Sequence, residues 1–367
     1  MEDFMQISQY TKNLLDDIER RITPEVEDEF LGQWEKFWAG EHSDIIFAPK
    51  RKVVSSSAVE VKEININDAL EDYELMLDSE LVRVSRALET GEGALAIRAN
   101  YGTGIIPSLF GAKIFTMPRE QNILPTSIPF GDEDSIRRII DGGVPSFDTG
   151  FGGKVFEYGE MCREIFENYP KIAKYLFVYH PDTQGPLDIA ELLWGSEIFY
   201  AFYDDPDMVH DLMGVITETY KGFLDKWFKL YPNREGLNVH WDFFTKGHIC
   251  IRNDSSMNLS PDLYKEFPFK YDSHLLEYFG GGIVHFCGRG DHYIDIVTEA
   301  KGLYGINLSQ PHLNNMDKIF SCTVGKGKKI LALNSLGCSD YLSRPDAVPS
   351  MICSSIDSTV QNYEVKR

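Results

Sequence analysis

The 367-residue chain is 43% hydrophobic and 13% aromatic, apolar enough to build a sizeable core and to exclude a disordered chain. Its 36 Lys and Arg against 57 Asp and Glu leave a formal net charge of −21, a field that repels nucleic acid and anionic membrane surfaces alike. The six cysteines are spread too thinly for a small disulfide-framed secreted domain, MEDFMQISQY lacks the basic and apolar regions of a signal peptide, and no apolar run reaches ~18 residues, so a cytoplasmic protein with reduced thiols is expected.

Residues 1–93 read as a helical extension. Ile7, Leu14, Leu15, Ile18 and Ile22 recur at helical spacing, as do Leu70, Leu77, Leu81, Val84 and Leu88. Between them, Phe47 to Lys52 reads as a loop or short strand. From residue 94 the pattern becomes short apolar segments, Gly-rich loops and helices, the alternation of parallel strands joined by helical crossovers. The expected fold is α/β, a (β/α)8 TIM barrel over 94–367, continuous with the extension. Six of its strands are legible: Ala94–Ala99, Leu176–His180, His248–Asn253, Ile283–Cys287, Tyr304–Leu308 and Lys329–Asn334.

Two helices are marked by their starts. Asp205-Pro206 supplies a cap and a proline at the first helical position, and Met208, Leu212, Ile216, Tyr220, Phe223 and Trp227 trace one apolar face. Ser260-Pro261 repeats the device, with Leu263, Phe267, Tyr271, Leu275 and Tyr278 as the stripe and Gly280-Gly281-Gly282 as the stop.

Alternate residues of a strand share a face, so Ile283, His285 and Cys287 point one way. Imidazole and thiolate are zinc ligands, and an i, i+2 pair supplies two corners of a tetrahedral site. The bland reading of the same pair is a packed thiol beside a structurally hydrogen-bonded histidine. His248, Cys250, Arg252 and Asp254 likewise share a face. Arg252 and Asp254 either neutralise each other or meet a polar ligand, because buried charges need partners. Arg98 and Asn100 stand before the loop Tyr101-Gly-Thr-Gly104, with Arg98 a candidate anion contact. Asp182 and Gln184 fall in a polar loop at the expected mouth of the barrel, which by itself reads more simply as a turn into the next helix.

Together these segments resemble the uroporphyrinogen decarboxylase superfamily, which includes methylcobalamin:coenzyme M-type methyltransferases. The resemblance covers about residues 94 to 345: Asp182-Thr-Gln-Gly-Pro186 is similar to the family's Gln-Gly-Pro loop, Tyr203-Asp-Asp-Pro206 to the turn that follows, and Asp254 through Ser260-Pro261 to its strand and Ser-Pro segment. The decarboxylases' Met-Arg-Gln-Ala-Gly-Arg motif has no counterpart in residues 1–60, whereas His285-Phe-Cys287 matches the His-x-Cys pair of the methyltransferases' zinc site. The resemblance therefore implies a zinc-dependent methyltransferase moving a methyl group from a corrinoid to a thiol. Cys338 is its expected third metal ligand, with Cys322 next. Asp254 and Arg252 are its catalytic candidates, and Gln184, Asp182, Arg289, Arg98 and Tyr101 its substrate contacts. Expected partners are a small-molecule substrate, a corrinoid protein and a second copy of the chain in a homodimer. The alternatives are a cofactor-free decarboxylase of tetrapyrrole metabolism and a non-catalytic barrel that binds a corrinoid or tetrapyrrole.

Overall fold

The computed structural model describes residues 7–356, so the outermost residues of the expected units, 1–6 and 357–367, lie outside it. Its strands in chain order are β1 (Ile46–Phe47), β2 (Ala96–Ile97), β3 (Lys113–Phe115), β4 (Thr126–Ile128), β5 (Phe177–Val178), β6 (Asn238–His240), β7 (Phe243–Thr245), β8 (Ile249–Arg252), β9 (Gly282–Phe286), β10 (Leu303–Leu308), β11 (Lys329–Leu333) and β12 (Ile352–Ser354). The order β1-β12-β11-β10-β9-β8 forms a six-stranded sheet, parallel throughout, and β2 and β5 form a separate parallel pair.

Eight parallel strands separated by helices make the architecture TIM-barrel-like. The backbone ladder is not closed among the described residues. Between β5 and β8 the connection runs instead through the segment after β5: Cys250 N donates to His180 Nε2 (3.2 Å), and Gly185 N donates to the Arg252 carbonyl (2.8 Å). All six strands expected from the sequence are present. The other two parallel strands are β12 and β1, each of two or three residues, and β1 carries the chain before residue 94 into the sheet.

The helices follow their signals. Ser8 caps Gln9–Arg21, and Asp205 accepts from Met208 N (3.2 Å) at the start of Pro206–Leu230. The stripe after Ser260, expected as one helix, is two, Pro261–Glu266 and Pro268–Tyr278. Pro268 has no N–H to continue the ladder and its ring crowds the preceding turn, so the helix breaks there. Tyr278, counted in that stripe, is exposed.

Inward-facing residues make a core of their own. Ala96, Phe177, Cys250, Ile283, Leu331 and Cys353 cluster with Phe30, Trp34 and Phe37 of helix Pro24–Ala39 and with Val239, Phe243 and Phe244 of the β6–β7 hairpin. That hairpin fills space the short strands leave open. One position farther along the same faces three of the columns turn polar: Ala96 gives way to Arg98, Cys250 to Arg252, and Ile283 to His285. The apolar layer is thus a floor beneath a polar layer at the C-terminal ends of the strands.

The glycine stop is needed for two reasons. Gly281 has φ +101°, and a Cβ there would lie 2.3 Å from the Tyr304 ring and 2.6 Å from the Gly302 carbonyl oxygen. Gly327 has φ +73° with open space around it. Gly327→Ala should cost only the backbone strain, about 1–2 kcal/mol, while Gly281→Ala adds overpacking of about 1–3 kcal/mol. Urea unfolding midpoints of the two variants compare them directly, and the Gly281 variant is expected to be the less stable.

Candidate metal centre

β9 delivers His285 and Cys287 from one face, with His285 Nε2 and Cys287 Sγ 3.4 Å apart. β8 ends beside it, placing Asp254 Oδ1 3.5 Å from His285 Nε2. The ligand-capable atoms of Asp254, His285 and Cys287 all lie within 4.8 Å of one another. Ligands 2.0–2.3 Å from a zinc ion at tetrahedral angles stand roughly 3.3–3.8 Å apart, so both measured separations have the length of a tetrahedral edge.

The neighbours of this group fix its chemistry. The Asn307 amide donates from Nδ2 to the Leu331 carbonyl (2.8 Å), leaving Oδ1 to accept from His285 Nδ1 (2.6 Å). The proton of the neutral ring is therefore on Nδ1, and the Nε2 lone pair faces Asp254 and Cys287. Burial pushes the His285 pKa down, and this outweighs the pull of the Asp254 carboxylate, so the imidazole is neutral at pH 7. Burial, and then the Asp254 charge, push the Cys287 thiol up to about 12. Two acceptors, Asp254 Oδ1 and His285 Nε2, thus converge, the first taking the Cys287 N–H and the second facing a thiol that also reaches Ser309 Oγ (3.5 Å). A cation ligated by all three would relieve that repulsion.

Asp254 is itself held in place. Its Oδ1 accepts from Cys287 N (2.7 Å), and its own N–H and that of Ser255 donate to the Asp188 carboxylate, each at 2.9 Å. Asp188 lies in the first turn of helix Pro186–Trp194. Burial and the nearby Asp254 charge raise its pKa well above the usual carboxylate range. A positive ion at the group would offset this as well.

Beside the group lies a buried ion network. Asp182 pairs through one oxygen with Arg98 and through the other with Arg252, whose Nη2 is also 3.0 Å from His240 Nε2. Burial alone would raise the Asp182 pKa, but the Arg252 and Arg98 guanidiniums hold it well below the usual range. His180, which accepts from Cys250 N through Nε2 and lies 2.8 Å from the Pro181 carbonyl through Nδ1, is pushed down by burial to about 4.

Arg252 and Asp254 were expected to neutralise each other or meet a polar ligand. They instead diverge, Arg252 to Asp182 and Asp254 to the His285–Cys287 pair, because the chain turns into a short helical segment at Ser255 and carries the two side chains apart. Cys338 does not join the group: it sits on helix Ser335–Leu342, where its thiol donates to the Leu333 carbonyl (3.3 Å). Cys322 ends helix Met316–Cys322 and is also outside the group. Gln184 is buried in the loop before helix Pro186–Trp194. Arg289 is mostly exposed and paired with Asp291 (2.6 Å). Tyr101 is fully buried in the helical core, its ring 5.0 Å from that of Phe151.

Asn307, Asp188, His240 and Trp241 were not singled out in the sequence. Asn307 had a usable signal, a lone amide near the C-terminal end of an otherwise apolar strand. The others gave none, since an acid in a helix's first turn and an aromatic turn residue are both commonplace.

A search of family models finds no match to the sequence, and a search of curated proteins finds none either. Among solved structures the chain is similar to a methyltransferase from Methanosarcina mazei, with a TM-score of 0.54 and 16% identity over 83% of this chain and 82% of that one. The likeness is one of fold. No helix among the described residues is long and apolar enough to cross a membrane.

Asp182→Asn removes the carboxylate that two buried guanidiniums share and should destabilise the protein by about 3–5 kcal/mol. Because the folded pKa of Asp182 is depressed, its stabilisation is complete above the unfolded value of about 3.9 and is lost as pH falls below it. Unfolding measured from pH 7 to pH 3 should show that the variant has lost part of the acid-side fall in stability seen in the parent.

Proposed function

We propose that this protein is a zinc-dependent methyltransferase that moves a methyl group from a corrinoid to a thiol substrate, with Asp254, His285 and Cys287 as the metal ligands. The observation that carries the reading is the convergence of these three donors, with His285 Nε2 directed into the group by Asn307. Three protein ligands leave a tetrahedral ion one position for substrate. Bound there, zinc would hold a thiol of pKa about 8.5 as the nucleophilic thiolate at neutral pH.

The chain's own residues prepare that position. Asn307 sets the imidazole tautomer, and Asp188 anchors the backbone that presents Asp254. The Arg98–Asp182–Arg252 network gives a rigid polar wall beside the group, and Gln184 lies on the adjacent loop. A mixed oxygen, nitrogen and sulfur set is borderline in softness, which suits zinc better than the hard, oxygen-preferring magnesium or calcium. The shared fold with a methyltransferase supports the same reading.

Ligation needs a neutral imidazole and a thiolate, so zinc occupancy should fall as pH drops. The functional test incubates zinc-loaded protein with methylcobalamin and a panel of small thiols while cobalamin absorbance is followed. Demethylation with at least one thiol is expected, slowed more than about tenfold in Cys287→Ser. No demethylation with any thiol, or an equal rate for the variant, contradicts the proposal.

A further inference from the structure

Trp241 stands at the tip of the internal hairpin, in a two-residue loop between the paired residues His240 and Phe243. Its φ is +52°. Such loop positions favour glycine, asparagine or aspartate, and a bulky side chain there is strained. The chain accepts this strain where glycine would relieve it, which points to a use for the side chain.

The ring lies edge-to-face with the His285 imidazole, centroids 4.9 Å apart and planes at 81°. Beside it is the Arg252 guanidinium, 4.6 Å from the ring centroid. Arg252 is itself tied to Asp182 and His240. The hairpin that carries Trp241 is braced at several points: Asp242 pairs with Arg83 (3.1 Å), its carbonyl accepts from Ala94 N (2.9 Å), and the Phe244 carbonyl accepts from Trp38 Nε1 (3.0 Å).

We propose that Trp241 is the positioning residue for His285, an aromatic stop that fixes the plane of the imidazole whose Nδ1 is held by Asn307. One hydrogen bond fixes a point on the ring and leaves it free to rock about that point. A second contact against the ring removes the rocking and keeps Nε2 aimed at Asp254 and Cys287. The inference extends the metal-site reading, but its geometric content holds for the metal-free protein.

The test therefore has a metal-free arm and a metal arm. In the first, nitrogen-15 NMR of the full-length metal-free protein reads the His285 tautomer and ring mobility. The parent should show one Nδ1–H tautomer with a rigid ring, and Trp241→Gly, which also relaxes the backbone, should keep the tautomer that Asn307 sets but show faster ring motion and a shifted, broadened Nε2 resonance. Trp241→Phe keeps an aromatic partner and should restore the parent spectrum. If the glycine variant does not fold, Trp241→Leu, apolar but without an aromatic face, takes its place with the same expectation. In the second arm, zinc competition with a chelating dye should show affinity lowered about tenfold or more in the glycine variant and within about threefold of the parent in the phenylalanine variant. A purely structural Trp241 would lower the unfolding midpoint while leaving the His285 spectrum unchanged, and that result overturns the proposal. If the parent binds no zinc but the spectral differences persist, the metal reading fails and the positioning role stands.

Discussion

The hydrogen bond from His285 Nδ1 to Asn307 Oδ1 is the interaction on which the rest of the site depends. The Asn307 amide is oriented by its own donation to the Leu331 carbonyl, so three neighbouring strands, β9, β10 and β11, combine to decide which imidazole nitrogen is protonated. Were Nε2 the protonated atom, it would donate to Asp254 and the group would be a satisfied ion-dipole cluster with nothing to bind. With the proton on Nδ1, acceptors meet at the mouth of the sheet and the group is short of positive charge. Backbone register therefore reaches the chemistry through a single side-chain amide.

The same principle organises the surroundings. The inward columns of β2, β8 and β9 run from apolar to polar along the strand, so the hairpin and helix Pro24–Ala39 fill the floor while the ionisable groups gather above it. Charges buried there are either paired, as Asp182 is with two arginines, or pushed toward their neutral forms, as His180 is. Asp188 is of the second kind: burial, and then the charge of the part-exposed Asp254 beside it, raise its pKa well above the usual carboxylate range, which leaves an excess of acid at this point. That imbalance sits where the three metal-capable donors converge.

Much of this was legible in the sequence because it is local. The period of two places His285 and Cys287 on one face of a strand, and apolar runs bounded by glycine and proline mark six of the eight parallel strands. Of the other two, β1 (Ile46–Phe47) meets the loop or short strand expected at Phe47–Lys52 only at Phe47, and β12 lacks the longer apolar run that marks even the two-residue β2 and β5. The third donor was misplaced for a different reason. The resemblance implies Cys338 because it offers a cysteine after a late strand, whereas proximity depends on which strand lies beside β9. That strand is β8, and Asp254 follows it directly. Trp241 was invisible because its role arises only when a hairpin remote from β9 in the chain folds up against it.

The central claim is that one oxygen, one nitrogen and one sulfur donor of this chain share a metal ion. Zinc-edge X-ray absorption of the zinc-loaded protein tests it most directly. The account predicts a single sulfur at about 2.3 Å and nitrogen or oxygen neighbours at about 2.0–2.2 Å, with the sulfur shell lost in Cys287→Ser. A spectrum with no sulfur neighbour, or with two, would contradict it: the first would exclude Cys287 as a ligand, and the second would require another cysteine in place of Asp254.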